Sequence, residues 1–401
     1  LQTTSTVFFF IDLVLFIIFS LIFLLRLIWF RRQAGAELFH VSSQQPDHDN
    51  NTDETDDDLG YLAAWPLVWM TLVAFAAVIA PELGQHSQTA RTVSHLAYTA
   101  WWIGAAWTVV TTLVILAVPL LSSPPDQQPK QKILPPSTVF PPMALAFVAF
   151  IGALIVSNLL SATATTTGLS PPKLATVPVI IFALCAIGAA LFMSLILYPI
   201  ILIHQLTTPL AITHSIHTHQ SNPSQLICTQ FYLVGALSMS AASLQLLGTA
   251  LSTIPGNGNS PSTPPTNGAA FLTNTTPTLI SVPCILFALL LFGMASLTFL
   301  LALITLIYTA CLRNLQWTMS WHGILLPVAA LGLSSLQFSV ELGSSFFRVL
   351  ASVLLVLIVV AFLVNLAFTV WFAWKGRVLI VRDDPRTSSK QVEWDHLHKF
   401  M

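Results

Sequence analysis

The chain has 401 residues, of which 55% are hydrophobic and only 8% are charged. Ordinary soluble domains carry about 25% charged residues, so this composition excludes a large soluble domain. The 15 Lys and Arg residues nearly balance the 16 Asp and Glu residues, so the overall charge does not indicate a partner. We expect no nucleic-acid partner.

Nine apolar stretches are long enough to cross a bilayer, which takes roughly 20 mostly apolar residues in a helix. They lie near residues 7–30, 61–82, 95–121, 137–160, 177–203, 228–252, 278–310, 320–340 and 346–374. We therefore predict an all-α membrane protein with a transmembrane domain over residues 1–381 and a cytoplasmic tail over residues 382–401.

The loops predict the orientation, because Lys and Arg gather on the cytoplasmic side of a membrane. If the first span runs from outside to inside, only three basic residues lie outside, namely Arg91, Lys173 and Arg348. The other twelve then lie inside: Arg26, Arg31, Arg32, Lys130, Lys132, Arg313, Lys375, Arg377, Arg382, Arg386, Lys390 and Lys399. This bias predicts a cytoplasmic C-terminus.

Two cytoplasmic loops have a biased composition. The loop over residues 33–59 contains a strongly acidic run without apolar residues, which predicts a disordered segment. The loop after the fifth span carries four histidines that would bind a metal only if they converged: His204, His214, His217 and His219. A polar loop is the simpler interpretation, and we expect no metal site and no cofactor. Walker, G-x-S-x-G and H-E-x-x-H motifs are also absent from the sequence.

Ionisable residues inside or beside a span are expensive, so each is a candidate contact for a substrate or a proton. Asp12 lies in the first span, where it is either a relay or a residue near the outer interface. Glu341 and Arg348 bracket a short outer turn, where they form either a pair at a pore mouth or a simple interfacial pair. Very few other charges lie in the spans, and this disfavours a carrier that relies on buried carboxylates.

Helix-breaking residues recur in the spans instead. A proline frees a backbone carbonyl, and the amide end of a broken helix attracts anions without a formal positive charge. The alternative is that Pro and Gly serve close helix packing. The residues in question are Pro66, Pro141, Pro142, Pro199, Pro283 and Pro327, with Gly104, Gly152, Gly188, Gly235, Gly248 and Gly332.

The segment from Trp321 to Leu350 has a pattern of Trp, then Leu-Pro five residues on, an Ala/Leu-rich helix, a Glu-bearing turn and F-x-V-L. It resembles the ninth helix and following turn of the tellurite-resistance/dicarboxylate transporter family, within the voltage-dependent anion channel superfamily. This family includes fungal malic acid transporters, fungal sulfite efflux pumps and plant slow anion channels. Further stretches are similar to its helices two, three, four, five and seven, at residues 8–26, 59–75, 97–110, 134–155 and 231–248.

The resemblance implies ten helices in five hairpins, with the odd-numbered helices around a central pore. The chain would then supply helices two to ten, with the first helix apparently missing. The pore and gate residues implied are Pro66, Pro141, Pro142, Gly235, Leu326 and Pro327. In channel relatives a Phe precedes the ninth-helix proline and plugs the pore, whereas this chain has Leu326. Ala236 likewise replaces the proline of the V-G-P pattern in the seventh helix.

The function implied by the resemblance is transport of a small anion, either a C4-dicarboxylate such as malate or sulfite, in the plasma membrane. A homotrimer in the lipid bilayer is implied as well. Two alternatives stay open: a transport-inactive paralogue that acts as a scaffold or receptor, and a membrane enzyme that uses the loop histidines.

Overall fold

The computed structural model describes residues 2–29, 62–82, 88–122, 139–164, 173–207, 223–252, 277–312 and 319–375. These residues form nine α-helices, and a 3-10 helix, Met319–Ile324, leads into the eighth. In chain order they are α1 (Gln2–Trp29), α2 (Ala64–Glu82), α3 (Gln88–Ser122), α4 (Phe140–Ala164), α5 (Lys173–Thr207), α6 (Pro223–Ser252), α7 (Pro277–Leu312), α8 (Leu325–Glu341) and α9 (Ser345–Trp374).

The prediction of an all-α membrane protein is confirmed. Helices α2 to α9 are all long and apolar enough to cross a membrane, and α1 contains a shorter described apolar segment, Phe9–Ile22. Helices α3 and α5 are longer than their predicted spans of 95–121 and 177–203, with 35 residues each. Such a helix is about 52 Å long, so its ends extend beyond a hydrocarbon core of about 30 Å.

Four helices, α2, α4, α6 and α8, lie side by side in that order and form an inner layer. Hydrogen bonds connect each neighbouring pair. Asn158 Nδ2 donates to the carbonyl of Ala77 at 2.8 Å, and Ser243 Oγ donates to the carbonyl of Ala146 at 3.3 Å. Ser334 Oγ donates to the carbonyl of Ser238 at 2.6 Å, which joins α8 to α6. Successive contacts advance together along α4, α6 and α8, from Tyr232 with Phe140 and Gly323 to Ser243 with Ala146 and Ser238 with Ser334, so these three helices run in the same direction. Helix α2 is separated from α4 by one membrane-spanning helix, α3, and therefore also runs in this direction.

The other helices form an outer layer. Helix α3 packs against α2 and α4, α5 against α4 and α6, α7 mainly against α6, and α9 against α8. Helix α1 packs on α2, where the rings of Phe9 and Phe75 stack with centroids 4.6 Å apart. The burial of the side chains differs between the inner and the outer layer. In α6 every residue from Cys228 to Leu251 is buried except Leu246 and Thr249, whereas α9 buries only Ala351, Leu354 and Asn365.

A tryptophan ring that packs on a glycine joins α3 to α4. Trp101 is fully buried, and its indole Nε1 donates to the carbonyl of Val148 at 3.0 Å. The same ring covers Gly152, four residues after that carbonyl, where an added Cβ would lie 2.7 Å from the ring. The α2–α3 contact repeats this arrangement with Trp69, whose Nε1 donates to the carbonyl of Ala100 beside Gly104. These glycines therefore permit close packing and do not break their helices.

We predict that Gly152→Ala destabilises the protein by about 1–3 kcal/mol, because the new methyl group would overlap the buried Trp101 ring. The unfolding midpoint of the purified protein in detergent checks this prediction. Gly188→Ala is the matched control, since nothing lies within 4 Å of the added Cβ, and it should change stability by less than about 1 kcal/mol. Equal midpoints for the two variants would contradict the packing described here.

Candidate functional site

The four candidate prolines of the inner helices all lie in a first helical turn. Pro66 is the third residue of α2, Pro141 and Pro142 are the second and third of α4, and Pro327 is the third of α8. The first four N–H groups of a helix have no partner within the helix, so a proline there removes no hydrogen bond. Pro66, Pro141 and Pro142 therefore begin their helices and do not break them. Pro327 lies where the 3-10 helix Met319–Ile324 passes without interruption into α8. The interior prolines Pro178 and Pro199 of α5 and Pro283 of α7 belong to the outer layer.

Three inner helices meet at Gly235, in the first half of α6. A Cβ added to this glycine would lie 2.9 Å from Sδ of Met143 on α4 and 3.2 Å from Cγ of Pro327 on α8. Met143, Gly235 and Pro327 are all buried. The structure thus brings two of the predicted site residues, Gly235 and Pro327, together. Met143 packs against the same glycine.

Aromatic contacts support the meeting point of α4, α6 and α8 near the N-terminal ends of α4 and α8. The rings of Phe140 and Tyr232 lie 4.4 Å apart, which joins the first turn of α4 to α6. The Tyr232 side chain also lies against Gly323 in the 3-10 helix that precedes α8. The starts of α4 and α8 are therefore fixed on the same stretch of α6 that carries Gly235.

Hydrogen bonds fix the 3-10 helix to α9. His322 Nε2 and Thr369 Oγ1 are 2.8 Å apart, and Asn365 Nδ2 donates to the carbonyl of Trp321 at 3.4 Å. Thr369 Oγ1 also lies 2.7 Å from the carbonyl of Asn365, to which it donates. This polar cluster positions the segment that leads to Leu326 and Pro327.

Leu326 lies on a different face of α8 from the contacts with the outer helices. On the outer side, the Phe338 ring packs on Phe292 of α7 and Phe347 of α9, with centroids 5.4 Å and 5.3 Å away. Leu326, Leu333 and Gln337 follow an i, i+7, i+11 spacing and share one face, roughly a third of a turn around the helix from Phe338. All three are partly buried.

The described inner helices contain almost no charge. Their only ionisable acidic or basic residues are Glu82 and Glu341, which are the last residues of α2 and α8. The buried hydroxyl groups of α6 donate to carbonyls of their own helix, as Ser238 does to Val234 and Ser240 to Ala236. The donors of these buried hydroxyl groups are thereby paired.

The predicted ionisable candidates lie away from this meeting point. Asp12 is exposed on α1, in the outer layer. Glu341 ends α8 and Arg348 lies in the first turn of α9, and both are exposed. In the described part of the chain, no ion pair joins Glu341 to Arg348.

The two biased loops fall largely outside the described residues. The acidic loop over residues 33–59, the tail over residues 382–401 and His214, His217 and His219 are among the residues not described. His204 belongs to α5. Within the described ranges, no group of three or more His, Cys, Asp or Glu side chains is arranged to hold a metal ion.

Comparison with known families adds to this geometry. The family model described as voltage-dependent anion channel matches residues 1–370. The chain belongs to the voltage-dependent anion channel family. Membership indicates a multi-pass membrane protein from a family of anion channels and transporters, which are not enzymes. Searches among curated proteins and among solved structures found no match.

Sequence reasoning did not single out Met143, which packs on Gly235. Met143 directly follows Pro141 and Pro142, and no motif distinguishes a methionine at a helix contact from any other core methionine.

We predict that Gly235→Ala and Met143→Ala are energetically coupled by about 1 kcal/mol, because the methyl group added by the first overlaps the thioether removed by the second. Unfolding of both single variants and the double variant in detergent measures this coupling. Gly293→Ala serves as the control, since nothing lies within 4 Å of its added Cβ. Additive effects of the first pair would mean that the two side chains do not meet.

Proposed function

We propose that the chain carries small anions, either C4-dicarboxylates such as malate or sulfite, across the plasma membrane. The pathway would lie inside the arc of α2, α4, α6 and α8, with the C-terminus in the cytoplasm. By resemblance to its family, the protein would act as a homotrimer in the lipid bilayer.

The contact of Met143 and Pro327 with Gly235 is the observation that carries this proposal. It joins α4, α6 and α8 at one level, beside Leu326 in the first turn of α8, which would face the pathway. A pathway through the arc would be narrowest there. Pro66, Pro141 and Pro142 would act by setting where the inner helices start.

The common direction of the inner helices supports anions as the substrate. The N-terminal end of a helix carries a partial positive charge, and four such ends lie on the same side of the arc. The predicted orientation makes this the cytoplasmic side. Because no Lys or Arg occurs in the described inner helices, the positive helix ends would attract an anion without binding it too tightly for release.

A methionine suits a gate at this level. Its unbranched side chain has three rotatable bonds and adapts to changes in the space around it. Rotation of Met143 away from Gly235 would widen the pathway without moving a helix. Leu326 would line the same constriction in place of the aromatic ring of channel relatives.

A second candidate function is a transport-inactive scaffold or receptor. The sealed apolar contact of Met143, Gly235 and Pro327 favours it, because hydrophobic constrictions exclude water and ions when they do not open. Transport measurements separate the two candidates.

We expect the purified chain, reconstituted in liposomes, to move labelled malate or labelled sulfite, and Leu326→Phe to lower the rate by about tenfold because the larger ring narrows an apolar constriction. Uptake and efflux of both anions are measured beside protein-free liposomes. If neither anion moves with either form of the protein, the transport proposal fails and the scaffold proposal gains support.

We expect Met143→Ala to raise anion flux by about tenfold, since it removes the side chain that fills the space beside Gly235. The same liposome assay measures the rate. Met143→Leu is the control, because it keeps the apolar volume, and its flux should stay close to that of the unchanged protein. A flux for Met143→Ala no higher than that of Met143→Leu would show that Met143 does not limit passage.

A further inference from the structure

Two polar side chains of α9 face inward from a helix that is otherwise apolar and mostly exposed. Asn365 and Thr369 are the only residues with an amide or hydroxyl group between Val353 and Trp374. They are four residues apart and therefore share one face. Asn365 is buried, although the residues on either side of it are exposed. An amide inside a membrane span is costly unless it is paired, so this placement indicates a specific contact.

The contact is with the 3-10 helix Met319–Ile324. Asn365 Nδ2 donates to the carbonyl of Trp321 at 3.4 Å, and Thr369 Oγ1 donates its single proton to the carbonyl of Asn365 at 2.7 Å. The hydroxyl oxygen can therefore only accept from His322, whose Nε2 lies 2.8 Å away. These bonds tie the polar face of α9 to the middle of the 3-10 helix.

The 3-10 helix depends on such outside contacts for its position. Its own hydrogen bonds have poorer geometry than those of an α-helix. It continues into α8, where Pro327 has no N–H group to offer the carbonyl of Gly323, four residues earlier. The Tyr232 side chain of α6 lies against Gly323, and α9 holds the two preceding residues, Trp321 and His322. Contacts from an inner and an outer helix thus fix this segment.

We propose that Asn365 and Thr369 are positioning residues that keep the proposed pathway closed while Met143 is in place. By fixing the 3-10 helix, they keep Pro327 against Gly235, so that only the Met143 side chain can open the constriction. A hydrogen bond present only in the closed arrangement favours that arrangement, and its loss shifts the population toward arrangements in which Pro327 has moved away. This inference rests on the proposed transport function and adds to it a restraint from the outer layer.

Thr369→Val tests the restraint, because it keeps the shape of the side chain and removes the hydroxyl group. In proteoliposomes containing the full chain, we expect the flux of labelled malate or sulfite per protein to rise by about 2- to 10-fold, the range for the loss of one hydrogen bond. Damage to the fold alone would lower the flux instead. Thr369→Ser keeps a hydroxyl group and should retain the rate of the unchanged protein. His322→Phe removes the donor and should raise the flux by a similar factor, with no further rise when it is combined with Thr369→Val.

Thr309→Val is the matched control. Thr309 lies near the end of another outer helix, α7, and is partly buried like Thr369. It also donates to a carbonyl four residues earlier at 2.7 Å, that of Thr305. Replacing it removes the same kind of bond within α7 and leaves the bonds to the 3-10 helix in place, so the flux should not change.

Hydrogen exchange provides a readout that does not depend on transport. The backbone amides of residues 319–326 should exchange about 2- to 10-fold faster in Thr369→Val than in Thr309→Val or Thr369→Ser, because exchange reports local opening. Mass spectrometry of peptides from the purified full chain measures these rates.

Each outcome bears on the inference. Unchanged exchange, or an equal rise in flux in Thr309→Val, overturns it. Faster exchange without higher flux means that α9 holds the segment without controlling passage, and this also overturns it. If Thr369→Val does not fold, His322→Phe decides by the same criteria. If the unchanged chain moves neither anion, the transport function fails and the restraint on passage with it, whereas the exchange rates still report the contact between α9 and the 3-10 helix.

Discussion

The close approach of helices at small residues is the constraint on which this fold depends. Within a bilayer, lipid tails are as apolar as the helix surfaces, so association rests on packing and on hydrogen bonds between helices. The Trp101 ring supplies both at once, because it fills the space above Gly152 and donates to the carbonyl of Val148. Since α4 contacts both α2 and α6, the position of the inner layer follows from this contact.

The same principle explains why the described inner helices hold no charged residue except Glu82 and Glu341 at their ends. Helix α6 is surrounded on nearly all sides, and a charged residue there would have to be desolvated at a large cost. Small and hydroxyl-bearing residues such as Ser238 and Ser243 fit instead, since their donors reach nearby carbonyls. A pathway between such helices must act on its substrate through dipoles and neutral hydrogen-bonding groups.

The helices could be predicted from the sequence, because a helix that crosses the bilayer needs roughly 20 consecutive apolar residues. The sequence also indicated which helices form the inner layer, although only through resemblance to a family. It misjudged Pro66, Pro141 and Pro142, since apolar residues flank each of them and nothing in the sequence separates the start of a helix from a break within it. The contact of Met143 with Gly235 depends on the rotation of α4 about its own axis relative to α6. A single sequence does not determine that rotation.

Under the proposed function, the pathway would open at Met143. The Met143 contact lies at the first turns of α4 and α8, where aromatic packing and the 3-10 helix fix the backbone, so only a flexible side chain needs to move. Further along α8, Ser334 holds the helix to α6 by a hydrogen bond. The helix backbones could therefore stay in place while the Met143 side chain moves.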